Sequence, residues 1–288
     1  MDTLSALQKE LRGVEIAYPR GFLSAAAVAS LSQPVIESLG VNTAGQICSQ
    51  MTTADQSQPG FCVFRFGPKV CAWEEDELST LLLGFCSLFG IPVRVFDRWP
   101  MWKPLGVSFE VGPARATGVG LNPLHIDVVN SRFPPDYVAF FCDRVDPLGG
   151  GHSLISNLLG AWKALSPNSL RVLSDPHFSE GAFYELTGVG SEYNPFPIID
   201  MSTTPPRIRF TAKMRYDLKE TADREAFDEF LHLLQSQQKI FLLEAGDMVV
   251  VNQWVAAHGR LPLGEGQRAV PLERRRLIRQ CFMTREIH

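Results

Sequence analysis

Apolar residues recur at helical spacing in five segments of this 288-residue chain and gather into short runs elsewhere. A repeat of three or four residues places an apolar stripe along a helix, and this stripe can pack on a core. The helices predicted in this way are Thr3–Leu11, Ser24–Leu39, Glu74–Phe89, Leu158–Leu173 and Glu220–Ser236.

Short runs rich in aromatic and β-branched residues predict the strands. These runs are Gly60–Phe66, Tyr137–Cys142, Ser153–Ser156, Arg207–Thr211, Ile240–Leu243 and Met248–Asn252. Many short strands separated by turn residues are typical of a β-sandwich or a closed roll. We therefore expect a mainly β fold with flanking helices.

One long stretch, Trp99–Gly120, is rich in proline and glycine and predicts an irregular connection that borders a site. No internal repeat and no shift in composition divides the chain. We expect a single domain over residues 1–288, in which about residues 1–98 support a core formed by about residues 99–288.

The composition is that of a globular protein, with 45% hydrophobic and 20% charged residues. A net charge of −4 without a basic stripe argues against nucleic acid as a partner. Early charged residues interrupt any signal peptide, and no segment approaches the roughly 20 apolar residues of a membrane helix. The six cysteines lack the paired spacing of metal knuckles, so we expect buried thiols in a reducing cytoplasm. We also expect a monomer or homodimer that binds a small-molecule substrate.

Two histidines and an aspartate form a candidate metal centre. In the segment Leu124-His-Ile-Asp127, alternation along a strand sends His125 and Asp127 to the same face. His258 comes soon after the predicted strand Met248–Asn252 and is available as a third ligand. Two histidines and one carboxylate form a facial triad, which leaves positions open on iron(II) for a chelating co-substrate and oxygen.

A His-x-Asp pair by itself is a weak signal, because most such pairs are surface or capping residues. The order of this pair, a second histidine after a strand and then several arginines is more specific. Other histidines suit other roles: His177, His232 and His288 suit the surface or the edge of the core. His152 lies in a glycine-rich turn, where it suits either a solvated position or an orienting role.

The C-terminal segment Glu273–Thr284 carries arginines that could bind the distal carboxylate of a keto acid. Alternation places Arg275 and Arg279 on one face of a strand and Arg274 and Arg276 on the other. We expect Arg274 and Arg276 to form a solvated basic face. Arg279 lies among apolar residues, where an unpaired cation is costly, and is therefore the predicted partner of the distal carboxylate.

Together these motifs resemble the taurine dioxygenase and clavaminate synthase-like superfamily of iron(II)/2-oxoglutarate oxygenases. The shared motifs, over about residues 121–285, are His125-Ile-Asp127, Asp136–Arg144, Gly149-Gly-Gly-His-Ser153, Gly246-Asp247, His258-Gly-Arg260, Arg275-x-x-x-Arg279 and Thr284-Arg-Glu286. The resemblance implies a double-stranded β-helix, the jelly roll of cupin-like proteins. It also implies that Fe²⁺ is bound by His125, Asp127 and His258, and that the co-substrate 2-oxoglutarate is bound by Arg275, Arg279 and Ser153.

The motifs are most similar to those of enzymes that hydroxylate free amino acids, such as arginine or asparagine, for peptide antibiotics. This resemblance implies hydroxylation of an unactivated C–H bond in a small amino-acid-like substrate of specialised metabolism, with O2 consumed and succinate and CO2 released. Desaturation, cyclisation or epoxidation would follow if the substrate were held differently. The sequence departs from many of these relatives at Asp127, where they carry glutamate, and in Asn252–Ala257 before the distal histidine. Related halogenases have a small residue at the acid position, so Asp127 argues against halogenation.

Asn122, Asn130 and Arg132 flank the predicted ligands and are the candidate substrate contacts, although each also suits a capping or solvated role. Two other classes of protein stay open. A zinc-dependent barrel hydrolase or isomerase would use the triad without an arginine for a keto acid. A non-catalytic binding protein would need no complete triad.

Overall fold

The computed structural model describes residues 3–12, 14, 16, 21–52, 59–95, 99–131, 133–180 and 195–287. Its helices are α1 (Thr3–Leu11), α2 (Ala25–Leu39), α3 (Val41–Thr52), α4 (Glu75–Cys86), α5 (Leu158–Ala164), α6 (Pro167–Leu173) and α7 (Thr221–Ser236). Its strands are β1 (Phe61–Arg65), β2 (Ile91–Val93), β3 (Lys103–Gly106), β4 (Asn122–His125), β5 (Tyr137–Arg144), β6 (Ser153–Asn157), β7 (Ile199–Asp200), β8 (Arg207–Ile208), β9 (Lys239–Phe241), β10 (Asp247–Asn252), β11 (Ala256–Arg260) and β12 (Leu277–Thr284). Over the described residues, no helix combines the length and apolar character needed to cross a membrane.

Most of the strands form two antiparallel sheets. The larger sheet has the order β1-β10-β5-β12-β2, with β3 also paired to β12, and the smaller sheet has the order β4-β11-β6-β9. A shared apolar interior includes Val249 and Ile278 of the larger sheet and Ile155 and Ala256 of the smaller one. The prediction of a mainly β fold with flanking helices is confirmed.

Each sheet also packs against helices on its other side. Met248 and Val250 of β10 lie in a core with Leu31 of α2 and Leu82 of α4. The smaller sheet packs in a second core with α5, α6 and α7, which includes Phe227. All six residues of β10 are buried because both faces of this central strand are covered.

The C-terminal strand β12 shows which side chains face the interior between the sheets. Ile278 and Phe282 belong to the core between the sheets, whereas Cys281 and Met283 belong to the core beneath the N-terminal helices. Because side chains alternate along a strand, even-numbered positions face the interior and odd-numbered positions face the helices. This parity decides which of the C-terminal arginines can reach the metal centre.

The sequence located most elements correctly, with one helix wrong and five elements missed. Ser24, predicted as the first residue of a helix, caps α2, with its Oγ accepting a hydrogen bond of 3.2 Å from the amide of Ala27. The single helix predicted over Leu158–Leu173 is wrong, because Ser166 caps a new helix whose first residue is Pro167. The elements that were not predicted are α3, β2, β3, β7 and β11. Of these, β3 interrupts the stretch expected to be irregular.

Candidate metal centre and co-substrate pocket

The candidate metal centre lies on the smaller sheet, where β4 and β11 are neighbours. His258 of β11 pairs directly with His125 at the end of β4. The Nε2 atom of His125 lies 3.6 Å from Asp127 Oδ1, and the Nε2 atom of His258 lies 3.3 Å from Asp127 Oδ2. The three ligand atoms all lie within 4.8 Å of one another, so the structure brings together the three residues predicted from the sequence.

The two imidazole rings are oriented in different ways. The Nδ1 atom of His125 lies 2.7 Å from the carbonyl oxygen of Pro123, which can only accept, so Nδ1 carries the proton and Nε2 is free to bind a metal. The ring of His258 packs between the rings of His125 and Phe140, with centroid distances of 4.4 and 5.0 Å. Its Nδ1 atom is buried without a partner among the described residues, so packing orients this ring.

Asp127 is held by two glutamine side chains. Gln253 Oε1 accepts a hydrogen bond of 2.5 Å from the Asp127 amide, and Gln253 is itself fixed by donating to Pro135 O at 2.8 Å. Gln280 Nε2 donates to Asp127 Oδ2 at 3.0 Å. The next residue, Val128, has a left-handed φ of 57°, which is strained for a β-branched side chain. Both the strain and the glutamines constrain the position of the carboxylate.

Burial and charge set the protonation states that a metal requires. Burial and the adjacent His258 lower the pKa of His125 from 6.5 to about 4, so its imidazole is neutral near pH 7. Burial disfavours the ionised form of Asp127, but the neighbouring imidazoles outweigh it and hold the pKa of this carboxyl well below its usual range. A neutral imidazole and an ionised carboxylate are the forms that bind metal ions.

The donor set fits a ferrous ion. Two imidazole nitrogens and one carboxylate are the ligands of the facial triad that binds non-haem iron(II) and leaves other positions open. The tautomer of His125 and the ionised state of Asp127 both suit this role. Thus His125, Asp127 and His258 would hold the metal.

A cavity between the two sheets extends from the triad. Its apolar wall includes Leu105, Phe140, Leu154, Ile155, Leu243, Val249, Val251 and Ile278. Its polar side chains, besides the triad, are Asn122, Ser153, Arg260, Arg276 and Gln280. A mainly apolar cavity with a few converging polar groups is typical of a small-molecule site.

Two guanidinium groups make this cavity cationic. Arg260 donates hydrogen bonds of 2.7 Å to the carbonyl oxygens of Leu261 and Gly118. Arg276 has no ion-pair or hydrogen-bond partner within the described parts of the chain. Burial lowers the pKa of each of the two arginines to about 10. A buried and unpaired guanidinium is costly unless an anion binds it, so Arg276 suits a carboxylate ligand.

The glycine run noted in the sequence lies against Arg276. Gly151 has a φ of +78°, and a Cβ added to it would lie 3.2 Å from Arg276 Nε and 2.9 Å from Leu263 Cδ2. Glycine is therefore required both by the backbone and by the close approach of the arginine. Ser153, two residues later, lines the same cavity, and its contact to the co-substrate stays a prediction.

Arg279, predicted to hold the distal carboxylate of the co-substrate, points away from the cavity. Its Nε donates to Asp143 Oδ2 at 2.5 Å, and its Nη1 pairs with Glu75 of α4. Arg279 is at an odd-numbered position of β12 and so faces the helices, where these carboxylates supply the expected anionic partners. Among the arginines of the segment Glu273–Thr284, Arg276, expected on a solvated basic face, is the one that lines the cavity.

The second arginine expected at the co-substrate, Arg275, also lies outside the cavity. Its Nε donates to Val270 O at 2.9 Å, and its guanidinium lies 5.0 Å from the ring centroid of Phe109. Arg275 precedes β12 and caps the short helical turn Leu272–Arg274, and its contacts hold the side chain outside the cavity. Neither arginine of the pair spaced by four lines the cavity.

The candidate substrate contacts have three different outcomes. Asn122 is buried and lines the cavity, and its Oδ1 has no partner among the described residues. The side chain of Asn130 is occupied by the backbone of Glu180, donating to its carbonyl at 2.8 Å and accepting from its amide at 3.0 Å. Arg132 lies outside the described residues.

Sequence reasoning missed four residues at the site: Arg260, Arg276, Gln253 and Gln280. Alternation puts Arg276 and Gln280 on the same face as Ile278, but both faces of β12 are apolar, so the sequence does not show that this face lines the cavity. No pattern in the sequence indicates that Gln253 supports the Asp127 amide, because the two are joined only by the fold.

Fold and site together define a class: a mainly β protein whose interior carries a facial triad and an arginine for an organic anion is a mononuclear non-haem iron oxygenase. The sequence profile of the taurine catabolism dioxygenase TauD, TfdA family matches residues 107–281, which is more than half of the chain. The chain belongs to this family, and the resemblance seen in the sequence motifs is confirmed. No curated protein sequence matches it significantly.

Solved structures give the same result for the fold. An asparagine oxygenase in complex with Fe(II), 2S,3S-3-hydroxyasparagine and succinate has a TM-score of 0.78 at 16% identity, covering 99% of this chain and 92% of that one. The non-haem iron oxygenase OrfP with Fe and α-ketoglutaric acid has a TM-score of 0.72 at 16% identity, covering 99% and 90%. OrfP with Fe, succinate and (3S)-hydroxy-L-Arg has a TM-score of 0.73 at 16% identity, covering 99% and 91%. The predicted jelly-roll fold of this superfamily is confirmed.

Proposed function

We propose that this protein is an iron(II)- and 2-oxoglutarate-dependent dioxygenase that hydroxylates an unactivated C–H bond of a small amino-acid-like substrate. One observation carries the proposal. Within a single interior cavity, the triad of His125, Asp127 and His258 meets the unpaired guanidinium of Arg276. A keto diacid has a chelating end for a metal and a distal carboxylate for a guanidinium, and it therefore fits both features.

Each group has a defined part in this proposal. His125, Asp127 and His258 hold Fe²⁺, while Arg276 and Ser153 bind the distal carboxylate of 2-oxoglutarate. Ferrous iron with 2-oxoglutarate and O2 supplies the oxidant that removes hydrogen from the substrate, with succinate and CO2 as by-products. The apolar wall around Phe140 and Val249 excludes water from the reacting groups.

The amino-acid-like substrate is supported by the proteins that share the fold over most of their length. The asparagine oxygenase holds 3-hydroxyasparagine, and OrfP holds (3S)-hydroxy-L-Arg. Both ligands are small hydroxylated amino acids. We place this protein in the same kind of chemistry, in the specialised metabolism that makes natural products. Its six free cysteines suit a reducing cytoplasm, and we place the protein there as a monomer or homodimer.

Zinc hydrolysis accounts less well for the cavity. The triad alone suits zinc, because two histidines and an acid are also found in zinc hydrolases. Such a reaction gives no role to a buried cation at the position of Arg276, which the oxygenase reaction needs. The cavity therefore favours the oxygenase.

The test is to supply free L-amino acids to the protein loaded with Fe(II) and 2-oxoglutarate in air. We expect substrate-dependent succinate and a product mass increase of one oxygen atom with at least one amino acid. Before this assay, addition of 2-oxoglutarate to the anaerobic ferrous protein should produce a weak visible charge-transfer band. If the band is absent, the keto acid does not chelate the metal and the proposal fails.

A further inference from the structure

Glu180 is a buried acid near the metal centre that the proposed reaction leaves without a role. Only 7% of its surface is exposed. Its backbone is fixed by the paired hydrogen bonds with the Asn130 side chain. Among the residues that the structure describes, no group donates a hydrogen bond to its carboxylate and no cation forms an ion pair with it. A carboxylate in this state needs a donor from elsewhere.

Lys213 is a partly buried cation next to the same centre. Thr211 forms a β-bridge with the metal ligand His125, and its Oγ1 accepts a hydrogen bond of 3.4 Å from the Lys213 amide. This short connection places Lys213 beside the triad. Its ammonium has no ion-pair partner in the described part of the chain.

The carboxylate of Glu180 and the ammonium of Lys213 interact electrostatically with each other and with Asp127. Burial raises the pKa of Glu180, and Lys213 offsets part of that effect. Burial lowers the pKa of Lys213, while Glu180 and Asp127 act in the opposite direction. No direct ion pair joins Lys213 to Glu180, although both belong to the described residues. A ligand with both signs of charge can bridge such a separated pair and neutralise both ends.

We propose that Glu180 and Lys213 form the polar end of the substrate site, with Glu180 binding an ammonium group and Lys213 binding a carboxylate of a free amino acid. This inference rests on the proposed function and narrows its substrate class. An amino acid that is esterified to a carrier protein has no α-carboxylate for Lys213, so the proposal excludes a carrier-bound aminoacyl substrate unless its side chain is acidic.

The carboxylate at Lys213 has two possible sources, the α-carboxylate or an acidic side chain. The shared chemistry is a carboxylate that pairs with the ammonium of Lys213. Esterifying the α-carboxylate separates the two, because it removes only the first source. An acidic amino acid compared with its side-chain amide reports on the second source.

The experiment uses the full chain loaded anaerobically with Fe(II) and 2-oxoglutarate. The succinate assay with the twenty proteinogenic L-amino acids first identifies the amino acid that is turned over. Calorimetric titration then gives Kd for that amino acid, its α-methyl ester and its N-acetyl derivative. The variants are Lys213→Met and Glu180→Gln, with the exposed Lys219→Met and Glu225→Gln as matched controls.

We expect Lys213→Met and Glu180→Gln each to raise Kd for the amino acid by about tenfold or more, because each leaves a buried charge of the ligand unpaired. Methyl esterification should weaken binding to the wild type and leave Lys213→Met unaffected, since the partner is already missing. N-acetylation should likewise weaken binding to the wild type and leave the affinity of Glu180→Gln unaffected. The control variants should bind the amino acid as the wild type does. All variants should keep the 2-oxoglutarate charge-transfer band and the melting temperature of the wild type within a few degrees, which shows an intact fold.

A second result also supports the pair of Glu180 and Lys213. In this result the wild type binds the methyl ester as tightly as the amino acid, prefers aspartate or glutamate to the side-chain amide, and loses that preference in Lys213→Met. The carboxylate bound by Lys213 is then that of the substrate side chain. The inference is overturned if either variant binds the amino acid as tightly as the wild type does. It is also overturned if the 2-oxoglutarate band forms but no free amino acid gives succinate. Absence of the band itself is a failure of the proposed function and is read on the wild type alone.

Discussion

Replacing Arg276 by methionine tests the co-substrate site most directly, because methionine retains much of the side-chain length and removes the charge. Burial lowers the pKa of Arg276 from 12.5 to about 10, which corresponds to about 3 kcal/mol against its charged form. A bound carboxylate offsets a penalty of this size, and the loss of a charge-assisted pair costs a similar amount. We therefore expect Arg276→Met to weaken the binding of 2-oxoglutarate by about 3 kcal/mol, which raises Kd roughly a hundredfold.

Arg279→Met is the matched control on the other face of the same strand. It should leave the affinity for 2-oxoglutarate within about twofold of the wild type, because Arg279 pairs with Glu75 and Asp143 outside the cavity. It should lower the free energy of unfolding by about 3 kcal/mol, since the buried Asp143 carboxylate loses its cation. Without ligands, Arg276→Met should be at least as stable as the wild type, because it removes an unpaired buried charge.

The assay is anaerobic titration of the ferrous proteins with 2-oxoglutarate, followed by the visible charge-transfer band, with urea unfolding of the same samples for stability. The Fe(II) affinity of both variants should match that of the wild type, since neither arginine touches the triad. The reasoning is refuted if Arg279→Met loses 2-oxoglutarate while Arg276→Met binds it normally. It is equally refuted if both variants bind like the wild type.

Three further changes test the support of the site. Gln280→Leu removes the amide that donates to Asp127 Oδ2, so the affinity for Fe(II) should fall by about 10–100-fold. Competition with a chelator measures this affinity. An unchanged affinity would count against a positioning role for Gln280. Gly151→Ala places a methyl group 3.2 Å from Arg276 Nε, so KM for 2-oxoglutarate should rise by about tenfold. Saturating 2-oxoglutarate should then restore kcat, and an unchanged KM would show that the arginine tolerates the methyl group. Asp146→Asn should lower the free energy of unfolding by about 1–3 kcal/mol at pH 7, because Asp146 accepts four hydrogen bonds, which outweigh burial and lower its pKa. The pKa of Asp146 in the folded protein lies below 3.8, so this stabilisation is complete above pH 3.8 and is lost as the pH falls through the pKa of the folded state. A difference in the free energy of unfolding between Asp146→Asn and the wild type that grows below pH 3.8 would contradict this reasoning.

The helices and central strands could be predicted because their patterns are strong and local. The bounds of α1 agree with the prediction at both ends, and β10 is a nearly unbroken apolar run. The edge strands β2 and β3 each contain a proline, Pro92 or Pro104, which obscures a strand in the sequence. The helix α3 is rich in polar residues, but Ala44, Ile47 and Met51 form an apolar stripe at helical spacing, and this pattern was overlooked in the sequence.

The metal ligands could be predicted because their signal needs only alternation and order. His125 and Asp127 are two residues apart, and His258 follows a buried strand, so both pieces are visible without knowing the register. The arginine could not be chosen in this way. Both faces of β12 are apolar, with Ile278 on one and Cys281 on the other, and the sequence does not say which face meets the cavity.

Several features that break local rules lie at the candidate site, and they support the site independently of any motif. Val128 has a strained backbone, Asn122 Oδ1 and His258 Nδ1 are buried without partners among the described residues, and Arg276 and Glu180 are charges without counterions there. Each of these features lowers the stability of the ligand-free protein by an amount on the order of 1 kcal/mol or more. Packing elsewhere in the chain must offset that cost, and a fold with no ligand to bind would gain by losing every one of them. Their position beside His125 and Asp127 is therefore best explained by ligands that complete them: an anion at Arg276 and a substrate ammonium at Glu180.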